Sequence, residues 1–217
     1  MTDKQLNFKL LDISFLSSEL FSIKLERGDF SFEPGQCFSL GVSSLSVNRE
    51  YSVYSRPEDN FLEFYIRLVD DGCLTPYLAN LKKDDYVSLN GPFGTFSPSK
   101  EELKKPHCFI ATGTGIAPFN SIIGSFPKLD YKLIHGVRYE HEIPINQFAN
   151  DNKYFPCFSR AKDITNRKKV TDYLSSTTLD PTSLIYLCGN RNMIVEVTNI
   201  LLGKGFNSEQ IRMEVFF

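Results

Sequence analysis

Up to about residue 98, apolar and polar positions trade places over short runs. "NFKLLDISFL", "LFSIKLE", "QCFSLGV", "REYSVYS", "FLEFYIRLV" and "YVSLNGPFG" are each rich in β-branched and aromatic residues. Between them stand "RGD", "EPGQ", "RPEDN" and "KKDD", which are turn chemistry. Strands at this spacing predict an antiparallel barrel or sandwich. One helical stretch interrupts them, near "LTPYLANL".

"SPSKEELKKP" is polar and bounded by prolines, and places a linker at 99–106. The rhythm then changes. "HCFIATG" is an apolar strand running into a glycine turn, and "APFNSIIGSF" follows with helical periodicity. "KLIHGVR", "YFPCFSR" and "SLIYLCGN" are further buried-strand candidates, with helical patterns such as "NMIVEVTNILLGKG" between or after them. Strands alternating with helices predict a parallel α/β sheet. The expected organisation is a β-barrel domain at 1–98 and a nucleotide-binding-type α/β domain at 107–217.

Composition narrows the function. Over 217 residues, 41% are hydrophobic and 23% charged, and the formal net charge is −2, an ordinary folded domain pair. Without a long basic block, nucleic acid is not an expected partner, and "NRKKV" is too short to serve as such a surface. The first residues lack the pattern of a signal peptide, and no apolar run approaches the roughly 20 residues of a membrane span. Five scattered cysteines fit reduced thiols in a cytoplasm, and three dispersed histidines give no expected metal site.

Two stretches carry chemistry. In "ATGTGIAPF", Gly113 and Gly115 sit at a strand-to-helix turn, where backbone N–H groups could hold a pyrophosphate. The pattern is GxGxxP, and by itself it equally describes a tight connection. In "REYSVYSRP", Arg49 offers a planar fork for a phosphate, Tyr51 a flat ring and Ser52 a hydroxyl. Alternation puts Arg49 and Tyr51 on one strand face and Ser52 on the other. Alone, this too could be a barrel strand with a surface arginine.

Together, in this order, the stretches resemble the ferredoxin–NADP⁺ reductase family over essentially the whole chain, closest to the bacterial type. "REYS", "PGQ", "GCLTPYL", "GPFG", "ATGTGIAP", "SR", "CGN" and the final "EVFF" carry the resemblance. It implies that Arg49 binds the flavin pyrophosphate, that Tyr51 stacks on the isoalloxazine, and that Ser52 lies near flavin N5. Gly72, Cys73, Leu74 and Thr75 would supply backbone amides and, from Thr75, a hydroxyl to the pyrophosphate. The implied flavin is FAD, with FMN the less expected choice.

The resemblance further implies that Thr112, Gly113, Thr114, Gly115 and Pro118 hold the pyrophosphate of NADP(H). Arg138, Ser159, Arg160 and Lys169 would surround its 2′-phosphate, with Lys169 in place of the family's usual arginine. Cys188 and Gly189 would border the nicotinamide, and Glu214 would help place it. Taken alone, Cys188 reads as a small core residue. Phe216 would cover the flavin's second face and gate the nicotinamide, with Phe217 its competitor.

The expected reaction is hydride transfer between NADP(H) and FAD, with single electrons passing to a separate ferredoxin or flavodoxin. Ser52, Cys188 and Glu214 would align the rings. Lys82, Lys83, Lys104 and Lys105 could steer an acidic carrier, or only solvate a face. A monomer is expected. The alternatives are a reductase component of an oxygenase, a flavin or ferric reductase, and a flavin-binding electron-transfer or regulatory subunit without its own turnover.

Overall fold

The structure, a computed structural model, describes residues 6–42, 45–144 and 152–216. Two compact units divide the chain. One takes in residues up to Ser97 together with Ala117–Ser125, and the other holds Pro98–Ile116 and everything from Phe126 onward.

The first unit is a six-stranded antiparallel sheet. Its strands are β1 (Leu6–Ser17), β2 (Leu20–Glu26), β3 (Cys37–Val42), β4 (Val47–Ser52), β5 (Phe61–Arg67) and β6 (Tyr86–Phe93). They run in the order β4-β3-β6-β1-β2-β5. The two outer strands meet just past β4, where Val53 bridges Phe64, and Tyr54 N–H donates to the Glu63 carbonyl at 2.7 Å. This contact rolls the sheet into the expected barrel. Inside it Leu10, Ile23, Phe38, Leu40, Phe64 and Leu89 form one core. Phe38 meets Phe30 and Phe64 edge-on at 5.0 and 6.2 Å, the arrangement that aromatic quadrupoles favour. Helix α1 (Leu74–Asn80) adds Leu74 and Leu78 to the same core.

Helix α2 (Ala117–Ser125), expected with the second domain, groups by packing with the barrel. Two buried polar side chains account for this. Asn120 Nδ2 donates to the Tyr54 carbonyl and Ser121 Oγ to the Ser55 carbonyl, both at 2.7 Å. A buried amide or hydroxyl without such a partner would be costly, so each bond fixes the helix in place. Phe119 adds a ring contact to Phe96 at 5.9 Å.

The second unit is a parallel five-stranded sheet. It comprises β7 (His107–Thr112), β8 (Tyr131–Val137), β9 (Tyr154–Phe158), β10 (Leu184–Asn190) and β11 (Ile211–Phe216), in the order β11-β10-β7-β8-β9. β7 and β10 are buried along nearly their whole lengths, as parallel strands covered on both faces must be. Helices α3 (Val170–Ser176) and α4 (Arg191–Gly203) pack on one face. Leu174, Val197 and Leu201 share a core there with Ile110, Ile134 and Leu187.

Two segments depart from the sequence reading. The final residues form an edge strand that the sequence reading did not mark, with Ile211 to Phe216 in parallel register with Ile185 to Asn190. The expected linker also has structure of its own. Ser99 and Glu102 cap each other reciprocally, Ser99 N–H to Glu102 Oε2 at 2.9 Å and Glu102 N–H to Ser99 Oγ at 3.3 Å. Glu102 then pairs with Arg212 of β11 at 3.1 Å, which ties the segment to the second unit.

Candidate functional site

On the barrel, Arg49 and Tyr51 lie two residues apart on β4, facing Leu40 and Phe38 of β3 in register, and so share one face. Tyr51 is half-buried against the barrel core. Burial pushes its phenol up to about 12, while the neighbouring Arg49 charge pulls it down. Arg49 is exposed, and one corner of its guanidinium donates to the Asn48 carbonyl at 2.8 Å. A cation beside a half-buried ring suits a flat aromatic group carrying a phosphate. Ser52, next along the strand on the opposite face, is buried.

The loop entering α1 is held by a double clasp. Val69 N–H donates to Thr75 Oγ1 at 2.9 Å, and the Thr75 hydroxyl donates back to the Val69 carbonyl at 3.3 Å. Gly72 N–H reaches the same carbonyl at 2.9 Å. A Cβ on Gly72 would come within 3.0 Å of that oxygen, tighter than an ordinary contact. The Thr75 hydroxyl, expected at the flavin pyrophosphate, is engaged here with the Val69 backbone. Gly72, Cys73 and Leu74 remain as backbone of the loop, with Cys73 exposed.

On the α/β sheet, the glycine turn lies against the end of β10. Gly113 takes φ +53°, opening a 3₁₀ turn over Gly113–Ile116 that includes Thr114 and runs on to Pro118 in the first turn of α2. Gly115 touches backbone. A Cβ there would sit 2.3 Å from the Cys188 carbonyl oxygen and 2.9 Å from Gly189 Cα. Gly189, at φ +131°, leaves equally little room, since its Cβ would meet Thr112 Oγ1 at 2.4 Å. That same Thr112 oxygen accepts the Asn190 N–H at 3.0 Å. Gly115, Gly189 and Thr112 therefore bind the turn to β10.

Cys188 pairs in register with Glu214 on β11, and Asn190 with Phe216. Burial, and then the Glu214 charge, hold the Cys188 thiol well above its usual range. It is thus a neutral side chain at neutral pH, not a thiolate. Phe216 is half-buried at the end of β11, and Phe217 lies outside the described residues.

A group of cations gathers where β8 and β9 end. Arg160 N–H donates to the Arg138 carbonyl and Ser159 N–H to the Val137 carbonyl, both at 2.9 Å. The Ser159 hydroxyl also faces Val137 O, at 3.3 Å. Lys169 is exposed at the N-cap of α3, its N–H held by Asp172 at 2.8 Å. The sequence reading passed over Arg167. It forms a bridge with Phe158, and its Nε donates to the Ala161 carbonyl at 3.0 Å. His135 was also missed. It lies fully buried beneath the glycine turn, with Nε2 2.8 Å from the Gly113 carbonyl oxygen and Nδ1 2.9 Å from the Tyr154 hydroxyl. The segment "KLIHGVR" was legible as a strand, but an inward histidine among apolar neighbours was the signal to follow.

Residues 8–97 match the oxidoreductase FAD-binding domain, and residues 109–199 match the oxidoreductase NAD-binding domain. The ferredoxin–NADP reductase of Azotobacter vinelandii is 30% identical, over 91% of this chain and 89% of that one. The chain belongs to the ferredoxin–NADP⁺ reductase family. It is therefore a flavin- and nicotinamide-dependent oxidoreductase, with its FAD-binding domain on the barrel and its NAD-binding domain on the parallel sheet. A crystal structure of a ferredoxin–NADP⁺ reductase from Neisseria gonorrhoeae with bound FAD and NADP superposes with a TM-score of 0.86 at 26% identity, covering 99% of both chains. The family also holds longer relatives. The toluate 1,2-dioxygenase electron transfer component of Pseudomonas putida is 29% identical over 97% of this chain and 66% of that longer protein.

Two further properties bear on the family's chemistry. Among the described residues, no cluster of three or more His, Cys, Asp and Glu side chains could hold a metal ion. No helix there is long and apolar enough to cross a membrane.

Proposed function

We propose that this reductase is a monomeric cytoplasmic enzyme. It moves hydride between NADP(H) and FAD and delivers single electrons to a separate ferredoxin or flavodoxin. The observation that carries the reading is the end of β10. There a glycine turn rests against backbone, and a neutral Cys188 thiol stands in register with the Glu214 carboxylate. Ligands of open α/β sheets bind at this carboxyl end of the strands. Free thiols at all five cysteines accord with a reducing compartment.

FAD supplies the conversion between a hydride and two single electrons. The chain's residues bind and orient. Arg49 pairs with the flavin pyrophosphate, joined by backbone N–H groups of Gly72, Cys73, Leu74 and Thr75. Tyr51 would offer its ring to the isoalloxazine, and Ser52 its hydroxyl. The turn Thr112–Gly115 holds the pyrophosphate of NADP(H), while Arg138, Arg160 and Lys169 hold its 2′-phosphate. Cys188, with no charge of its own, and Glu214 would help place the nicotinamide. Phe216, at the end of β11, would offer an aromatic ring to the flavin.

A second reading, the reductase component of an oxygenase, is favoured by the likeness to the toluate dioxygenase component. Steady-state turnover with NADPH separates the two. Ferredoxin or flavodoxin reduction at rates well above those for free flavin or ferric chelates supports the carrier reductase. Comparable rates with every acceptor would reject it.

A further inference from the structure

The glycine turn is held from beneath by a buried histidine. A carbonyl only accepts, so at 2.8 Å from Gly113 O the His135 Nε2 must carry the ring proton. The other nitrogen, Nδ1, is then bare and must accept from the Tyr154 hydroxyl 2.9 Å away. Tyr154 thus sets the tautomer and His135 uses it. The imidazole is fully buried, and burial lowers its pKa to about 4, which keeps it neutral at working pH.

The consequence lies on the other side of the peptide plane. In a trans peptide the C=O and the following N–H point in opposite directions. With the Gly113 carbonyl drawn down onto His135, the Thr114 N–H of the same unit faces away from the histidine. Gly113, at φ +53°, is flexible enough to permit the flipped peptide, which would turn a carbonyl oxygen toward any bound anion.

We propose that His135 is a positioning residue. It locks the Gly113–Thr114 peptide in the orientation that offers the Thr114 N–H to the dinucleotide pyrophosphate, and Tyr154 locks His135. This rests on the dinucleotide reading of the glycine turn and names the side chains that keep the turn competent.

The test uses flavin-loaded protein and calorimetric binding of two probes, NADP⁺ and 2′-phospho-AMP, the second of which lacks the pyrophosphate. His135→Phe keeps a ring but removes the donor. It should weaken NADP⁺ about tenfold, the loss of one hydrogen bond to a charged group, and leave 2′-phospho-AMP as in the parent. His135→Gln, which returns an amide N–H near the Nε2 position, should recover most of the loss. Tyr154→Phe should lose about threefold for NADP⁺ alone. NADP⁺ binding at the parent level in His135→Phe, or an equal loss for both probes, would overturn the proposal. If His135→Phe does not fold, Tyr154→Phe decides: unchanged NADP⁺ affinity rejects the lock. A parent protein that binds neither probe instead rejects the dinucleotide reading itself.

Discussion

At the scale of single residues, the proposed 2′-phosphate subsite predicts which dinucleotide is preferred. Arg160 is exposed and stands beside Arg138 through a backbone bond, so on that proposal removing it would take a charged donor from the phosphate. Arg160→Ala should raise the half-saturating NADPH concentration about 10- to 100-fold and leave NADH within about twofold, since a bond to a charged group contributes ~1.5–3 kcal/mol. Equal losses for both, in flavin reduction followed by stopped flow, would remove Arg160 from that role. His135 makes a second prediction, on stability. Its folded pKa, near 4, lies below that of an unfolded histidine, so between those values the unfolded chain binds the extra proton. Stability contributed by the neutral imidazole is therefore complete above about pH 6.5 and falls as the pH drops toward 4. His107 is shifted the same way by burial and adds to the slope. Urea midpoints measured from pH 7 to 4.5 should fall less steeply in His135→Gln than in the parent. Thr75, Arg167 and His135 show why these roles were not legible in the sequence. Each depends on a carbonyl distant along the chain or set by a turn, namely Val69, Ala161 and Gly113, and no spacing rule reveals where those oxygens point.

At the scale of elements, the glycine turn and β10 act as one piece. Gly115→Ala would drive a methyl into the Cys188 carbonyl, an overlap that only a shift of backbone could relieve. The variant should lose about 2 kcal/mol or more in chemical unfolding and bind NADP⁺ poorly even where it folds. A parent-like unfolding midpoint would show that the turn does not press on β10. Strand β11 brings Phe216 opposite Asn190, so Phe216→Ala should alter both the flavin absorbance and the affinity for nicotinamide while leaving the 2′-phosphate subsite unchanged. Two parent-like readouts would dismiss it as a stacking ring. Ten of the strands were visible as short runs rich in β-branched and aromatic residues between turn signals. β11 was not marked, and "IRMEVF" takes its strand state by pairing with β10. α3 is seven residues opening on Val and Thr, weak helix formers stabilised here by the Asp172 cap and by burying Leu174. The short turn at 102–104 carried a readable signature, Ser99 three residues before Glu102, inside a stretch whose polarity suggested only a linker.

At the scale of the whole molecule, a barrel with a cation and an aromatic ring on one strand and a parallel sheet with a glycine turn make up one flavin- and nicotinamide-dependent enzyme. Each unit has its own core. The proposed binding residues lie on strand ends and their turns, where a rigid core positions exposed groups. The reading as an electron-carrier reductase requires that nicotinamide chemistry and flavin chemistry occur in this one chain. A flavin-binding subunit without turnover would share the barrel and its colour but would not respond to NADPH. The most direct measurement is therefore the visible spectrum of the purified protein during anaerobic titration with NADPH. A flavin band that bleaches with about one equivalent of NADPH is the predicted result. Protein that takes up no flavin on reconstitution, or a band that NADPH leaves unchanged, would contradict the account.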